Sequence, residues 1–162
     1  MKLKPQVVVI GLGRFGTSFA SKMYQLGYDV MAIDNDEEKV QSMIGQVTYP
    51  VTADASSETA LRELGVQGFD VGVVAIGSNV ELSVMVTVLL KTLNLSTVVA
   101  RASSTLHEST LSRLGCDRVI FAEEEMGDRL ANTLFTPVVD EYLELSNNLG
   151  ISKMIVPDRL VG

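Results

Sequence analysis

The sequence predicts an α/β fold: a doubly wound parallel sheet in three layers, αβα, followed by a C-terminal extension. Three observations carry the expectation. Short apolar runs alternate with amphipathic stretches along most of the chain, the pattern of βαβ units. Each run is apolar almost throughout, as in strands covered on both faces. The first run, Val7-Val8-Val9-Ile10, passes directly into Gly11-Leu12-Gly13-Arg14-Phe15-Gly16, and the second, Asp29-Val30-Met31-Ala32-Ile33, is closed by Asp34. Strand, glycine turn, helix, strand and acid, each near its expected offset, form the dinucleotide-binding fingerprint of a Rossmann fold.

Strands are expected at Val7–Ile10, Val30–Ile33, Val47–Val51, Val71–Ile76, Thr97–Ala102 and Arg118–Phe121. The helices between and after them fall at Thr17–Leu26, Glu37–Ile44, Ser57–Leu64, Val80–Leu93, Thr105–Leu114 and Glu125–Phe135. Right-handed crossovers place these helices on both faces of the sheet. Asn35 and Asp36 before an acidic first turn, Ser56 or Ser57, and Ser78 or Asn79 supply the caps, with side-chain oxygens for unpaired helical amides. Gly27, Gly65 and Gly115 each follow a leucine at a helix end, where a left-handed residue terminates the helix.

The expected Rossmann domain spans residues 1–135. Thr136-Pro137 stops the last helix. Within residues 136–162, Val138–Leu145 is ambiguous between helix and strand, Ser146–Gly150 reads as a loop, and Ile151–Pro157 as the first strand of a further lobe. A lone strand has nothing to pair with, so the segment is expected to open a truncated C-terminal lobe. The alternative is a native tail that pairs with a partner chain.

Composition narrows the function. With 46% hydrophobic residues among 162, the chain is expected to fold into a globular core. A formal charge of −7 argues against non-specific nucleic-acid binding, which needs a basic surface. One cysteine, Cys116, excludes an intramolecular disulfide and fits a reducing compartment. No apolar run approaches the ~18 residues that span a bilayer, and residues 1–6 hold no signal-length apolar stretch. A cytoplasmic protein is expected, with any membrane link made through a partner.

The fingerprint assigns roles residue by residue. Gly11 permits the tight turn, Gly13 lets the backbone approach a phosphate, and Gly16 lets the helix pack on the sheet. The helix start offers unpaired amides to an anion. Asp34 can accept from ribose hydroxyls, and its charge opposes a 2′-phosphate, which argues against NADP. NAD, ATP, ADP and AMP all remain open. Arg14 is placed to reach a phosphate of its own chain or a neighbour, or to lie solvated on the surface. Phe15 is expected to pack under the turn.

Further candidates sit after later strands, where a doubly wound sheet lines its crevice. In Thr52-Ala53-Asp54-Ala55-Ser56, Asp54 and the Ala55 backbone face an adenine edge, or Asp54 is an ordinary N-cap. The turn Ala75-Ile76-Gly77-Ser78-Asn79 lets a ligand approach the backbone, and Arg101 is a second cation near the phosphates or the partner of a nearby acid. Glu123-Glu124-Glu125 complements a helix dipole or lends a carboxylate to a divalent cation. His107 is expected to face solvent, and Cys116, without an activating histidine, to pack. There is no His/Lys/Tyr constellation and no substrate region of the kind a dehydrogenase needs.

Val9–Gly16, Ala32-Ile33-Asp34, Glu37–Val40, Val73–Gly77, Leu114–Ile120 and Met126-Gly127, in this order, resemble the RCK (KTN, TrkA-N) domain, the cytosolic regulatory module of bacterial potassium uptake systems of the Ktr and Trk type. The resemblance covers nearly the whole chain and is nearest to the Ktr regulatory subunits. It implies dimers formed through the last helix, octameric rings beneath a membrane-embedded K⁺-translocating subunit, and control by ATP against ADP, or by NAD(H) in Trk-type members. It also implies nucleotide contacts at Gly11, Gly13, Arg14, Gly16, Asp34, Asp36, Lys39, Asp54, Ile76, Gly77 and Arg101. Leu12, Phe15, Ala53, Ala55 and Ser78 flank these positions and complete the expected cofactor-binding set. Glu123 falls where some members hold Mg²⁺ or Ca²⁺ beside ATP, although the preceding residue is Ala122 rather than the family's usual proline. The expectation is a non-enzymatic regulatory subunit; the alternatives are an NAD(H) redox sensor and a fragment of an NAD-dependent oxidoreductase.

Overall fold

The computed structural model of the chain describes residues 4–134, 139–146 and 149–154. They fall into two units that divide between Phe121 and Ala122. In the first, the described strands are β1 (Gln6–Ile10), β2 (Asp29–Asp34), β3 (Tyr49–Thr52), β4 (Val71–Val74), β5 (Thr97–Arg101) and β6 (Arg118–Ile120). They form one sheet in the order β3-β2-β1-β4-β5-β6, with every pairing parallel. The helices are α1 (Arg14–Gln25), α2 (Glu37–Ser42), α3 (Glu58–Glu63), α4 (Val80–Thr92) and α5 (Thr105–Arg113).

The period-two geometry of a strand sends neighbouring side chains to opposite faces, and here both faces are buried. On β1, Val7 and Val9 join a core beneath α1 and α2 with Ala20, Val40 and Met43. Val8 and Ile10 join the opposite core, with Leu61 of α3, Leu90 of α4 and Leu111 of α5. The chain therefore winds one way from β1 and the other way from β4. The switch between these adjacent strands leaves a crevice at their carboxyl ends.

Several boundaries move from their expected places, each for a local reason. Helix α1 begins at Arg14 rather than Thr17, because Gly13 is already its N-cap and its carbonyl accepts from the Thr17 amide at 2.9 Å. β3 runs from Tyr49 to Thr52 instead of Val47 to Val51; Val47 is buried in the core just before it. β4 stops at Val74, which releases Ala75–Asn79 from the sheet edge to form a wall of the crevice.

The second unit begins with α6 (Ala122–Leu134), three residues earlier than expected, so the three glutamates occupy its first turn. β7 (Val139–Ser146) and β8 (Leu149–Met154) then pair antiparallel, with Leu143 opposite Ile151 and Ser146 opposite Leu149. This corrects the expected lone strand: it has a partner in its own chain, and Ser146, Leu149 and Gly150 belong to strands rather than to a loop. Asn147-Asn148 and the continuation of that strand over residues 155–157 lie outside the described residues.

Candidate functional site

The crevice at the switch point has a volume of about 270 Å³. Ile10, Gly11 and Gly13 form one side, and Ile33, Asp34, Asn35 and Lys39 another. Ala53-Asp54-Ala55, following β3, and Ala75–Asn79, following β4, complete the walls with Leu82 of α4 and Arg101 of β5.

The three fingerprint glycines face three different surroundings. Gly11 has φ +98°, the left-handed region, and donates its amide to the Ile33 carbonyl at 2.9 Å, which bends the chain across β2. A side chain at Gly16 would collide with the Gly11 carbonyl oxygen, so α1 can lie this close to the turn only without one. A side chain at Gly13 would meet nothing within 4 Å. That open space stands before the first amides of α1, whose cap has no side-chain acceptor and whose first turn carries no acid. It is a cradle shaped for an anion.

Asp34 is more engaged than the sequence implied. One carboxylate oxygen accepts from the Leu12 amide at 2.7 Å and the other from the Asp36 amide at 2.9 Å. The Lys39 ammonium lies 3.7 Å from Asp34 and 3.5 Å from Asp36. Asp34 therefore fixes the shape of the glycine turn from the next strand. Its oxygens keep further lone pairs for a hydroxyl donor.

Asp36 caps α2, accepting from the Glu38 and Lys39 amides at 3.0 and 3.4 Å. The Lys39 amide is the main reason its carboxyl is held below the ordinary carboxylate range. Asp54 accepts from the Ser56 hydroxyl at 2.6 Å and amide at 2.9 Å, and the hydroxyl bond leads in lowering its pKa. The cap of α3 is Ser57, so the alternative of Asp54 as an N-cap falls. A side chain at Gly77 would run into the Arg101 guanidinium, which thus lies against the backbone of the β4 wall.

The structure thus gathers Gly11, Gly13, Asp34, Lys39, Ala53, Asp54, Ala55, Ile76, Gly77, Ser78 and Arg101 around one cavity. The remaining expected residues lie elsewhere. Leu12 is buried, with its amide taken by Asp34. Gly16 packs behind the turn, and Phe15 stacks on Phe19 with ring centroids 6.0 Å apart. Asp36 acts from the cap of α2. Arg14 lines a separate, shallow depression along α1 with Thr17, Ser18 and Lys22. Glu123 is exposed in the second unit. Among the described residues no three His, Cys, Asp or Glu side chains converge, so these residues fit a divalent cation only if a ligand supplies most of its oxygens.

Sequence reasoning missed Ile10, Ile33, Asn35 and Leu82 as wall residues. Asn79, expected both in the ligand-facing turn after β4 and as a cap, is both, accepting from the Leu82 amide at 3.0 Å. His107 is a second correction: it is 1% exposed, not solvent-facing. Cys116 is half-buried, its thiol directed to the Val98 and Arg118 carbonyls and its pKa raised mainly by burial. Among the described residues no helix is long and apolar enough to cross a membrane.

Known proteins share this plan. Ktr system potassium uptake protein C of Bacillus subtilis (strain 168) is 36% identical over 160 residues, 99% of this chain and 72% of the relative. Ktr system potassium uptake protein A of the same organism is 36% identical over 155 residues, covering 96% and 70%. Among solved structures, the TrkA-N domain of the Escherichia coli inner membrane protein ybaL superposes with a TM-score of 0.71 at 15% identity, covering 83% of this chain and 99% of that one. GsuK bound to ADP gives 0.68 at 22% identity, over 85% of this chain and 35% of that one. The GsuK channel bound to NAD gives 0.67 at 11%, over 78% and 23%. The TrkA-N domain model matches residues 7–122, the whole of the six-stranded sheet from its second residue onward. On that match and on the near-complete alignment with the Ktr proteins, the chain belongs to the TrkA-N domain family.

Proposed function

We propose that this chain is a nucleotide-binding regulatory subunit of a potassium uptake system. ATP or ADP occupies the crevice, and the identity of the nucleotide sets the geometry of a homodimer and of an octameric ring built from dimers. The ring acts on a membrane-embedded K⁺-translocating subunit from the cytoplasmic side. The observation that carries the reading is the pairing of an empty space at Gly13, facing the α1 amides, with the Asp34 carboxylate one strand away. A phosphate suits the first and a ribose the second. The potassium-uptake relatives supply the physiological setting.

In this reading Gly11, Leu12, Gly13, Phe15 and Gly16 build the phosphate turn. Asp34, with Asp36 and Lys39 behind it, receives the ribose. Ala53, Asp54, Ala55, Ile76, Gly77 and Ser78 border the base and sugar, and Arg101 and Arg14 meet phosphates, Arg14 those of the neighbouring copy. Glu123 adds one carboxylate to a Mg²⁺ or Ca²⁺ held chiefly by the nucleotide. Control requires different affinities for two ring shapes; tight binding alone shifts nothing. The chain binds its nucleotide without transforming it.

A second reading, an NAD(H)-responsive subunit, is favoured by one observation: a solved relative in fold is a channel bound to NAD, and Asp34 suits either adenosine ribose. Calorimetric titration with ATP, ADP, AMP, NAD⁺ and NADH, with and without Mg²⁺ or Ca²⁺, separates them. Preference for ATP and ADP supports the first reading and preference for NADH the second. Absence of binding by every nucleotide removes both, and substrate-dependent oxidation of NADH would restore an oxidoreductase.

A further inference from the structure

The geometry points to His107 as a positioning residue for the crevice: as a neutral ring it ties the segment after β5 to α4, and protonation of that ring weakens nucleotide binding. The inference rests on the nucleotide reading above.

His107, the only histidine, sits in the first turns of α5 and is 1% exposed. Its Nδ1 lies 3.2 Å from the Ser103 amide and 3.2 Å from the Ser103 hydroxyl. Its Nε2 lies 3.2 Å from the hydroxyl of Ser83, a fully buried residue of α4. A backbone amide only donates, so Nδ1 must present its lone pair. The ring is then neutral, with its proton on Nε2 and directed to Ser83.

Both partners adjoin the crevice. Ser103 follows Arg101 by two residues, and Arg101 lies against Gly77. Ser83 follows Leu82, the α4 residue of the wall, and its carbonyl accepts from the Thr87 hydroxyl at 2.8 Å. One imidazole therefore joins two walls from behind. A proton added at Nδ1 would face the Ser103 amide, donor against donor. The amide bond is lost, while the Ser103 hydroxyl, already 3.2 Å from Nδ1, can accept in its place; relief of the clash at the amide shifts the backbone of residues 101–104. That shift carries Arg101 with it.

The charged residues on the surrounding elements are Glu81 and Lys91 of α4, Arg101 of β5, Arg118 of β6, and Glu108 and Arg113 of α5 itself. Lys91 is paired with Asp117 at 3.1 Å, and Glu108 accepts from Ser112. Burial lowers the pKa of the ring.

The test is calorimetric titration of the full chain with ADP, the moiety common to ATP-type and NAD-type ligands, at pH 8.0 and pH 5.5, for the native protein and His107→Asn. Asparagine keeps an acceptor near Nδ1 but gains no proton. The nucleotide's own phosphate titration is common to both proteins and cancels in the comparison. With protonation of the single imidazole followed by NMR over the same pH range, the native protein should lose about fivefold more affinity than the variant once the ring is protonated, the lower end of ordinary site-to-site coupling. Parallel profiles overturn the inference. Should the variant not fold, NMR titration of the single imidazole in the native protein decides: by linkage, bound ADP must move its titration to lower pH, and an unmoved titration overturns the inference. Absence of ADP binding at pH 8.0 defeats the nucleotide reading and this inference together, whereas binding at pH 8.0 with parallel profiles defeats this inference alone.

Discussion

At the scale of single residues, one chemical change, glycine to alanine, should have three distinct outcomes in this crevice. Gly16→Ala drives a methyl into the Gly11 carbonyl, and neither backbone can retreat. A loss of about 1–3 kcal/mol in urea unfolding is expected, the usual cost of overpacking. Gly13→Ala meets no atom and keeps an ordinary extended backbone. It should fold with a change within about 1 kcal/mol, yet fail to bind nucleotide, because its methyl fills the phosphate's place. Gly77→Ala drives its methyl into the Arg101 guanidinium, the far end of a long side chain rather than backbone; the fold should persist, and binding should weaken in part. Equal ADP affinities for Gly13→Ala and native protein would remove the phosphate cradle. The tight turn at Gly11 and the close packing at Gly16 were legible in the glycine spacing. The engagement of Asp34 was not, because its acceptors meet the amides of Leu12 and Asp36 only once the turn has folded over β2. Asp34→Ala should therefore destabilise the ligand-free protein too, by about 1–3 kcal/mol for the amides left without an acceptor.

At the scale of elements, the helix stops were legible and the helix starts less so. Gly27, Gly65 and Gly115 adopt φ of +83°, +74° and +84°, the left-handed geometry that glycine after leucine implied. The start of α1 was obscured because glycine is a weak marker of an N-cap, and the first turn of α1 doubles as the phosphate turn. The burial of His107 was illegible for a different reason. Hydropathy places Leu106 inside and its polar neighbour outside, whereas α5 leaves Leu106 79% exposed and turns His107 and Leu111 inward, four residues apart on one face. The serines that satisfy the ring lie 24 and four positions away, and sequence does not announce such a meeting. The α4–α5 pair then acquires a pH dependence of known sign. The folded-state pKa of His107 is depressed by burial, so the unfolded chain binds the proton more readily. Stability should be full above the ordinary histidine pKa of about 6.5 and fall as pH drops through and below it. Thermal unfolding between pH 7.5 and 5.5 should show this decline, and His107→Asn should flatten it. The lowered carboxylates Asp36, Asp54 and Asp117 act in a separate window, losing their contribution only below the ordinary carboxylate range.

At the scale of the whole molecule, the alternation of apolar runs specified the parallel sheet, and the fingerprint specified where its order reverses. The C-terminal hairpin was hidden because β7 mixes acids into its apolar pattern, leaving helix and strand equally matched. Arg14 is the residue on which a link between ligand and assembly rests. In its own chain Arg14 does not line the crevice, although its neighbour Gly13 does; it is exposed in the depression along α1. A cation so placed is open to a second copy, and we propose that the phosphate it contacts belongs to that copy. The third phosphate of ATP is the group that distinguishes ATP from ADP and extends farthest from the adenosine. A cross-copy contact would therefore act on ATP selectively and supply the differential affinity that a change of ring geometry requires. Arg14→Ala should reduce ATP affinity about tenfold or more, the loss of one charge-assisted hydrogen bond, and leave ADP affinity nearly unchanged, as read by calorimetry at a concentration where native dimers persist. Equal losses for the two nucleotides would place the guanidinium on its own ligand, and unchanged affinities for both would take Arg14 out of the site. Either result would leave the crevice standing and remove the link from the third phosphate to the shape of the assembly.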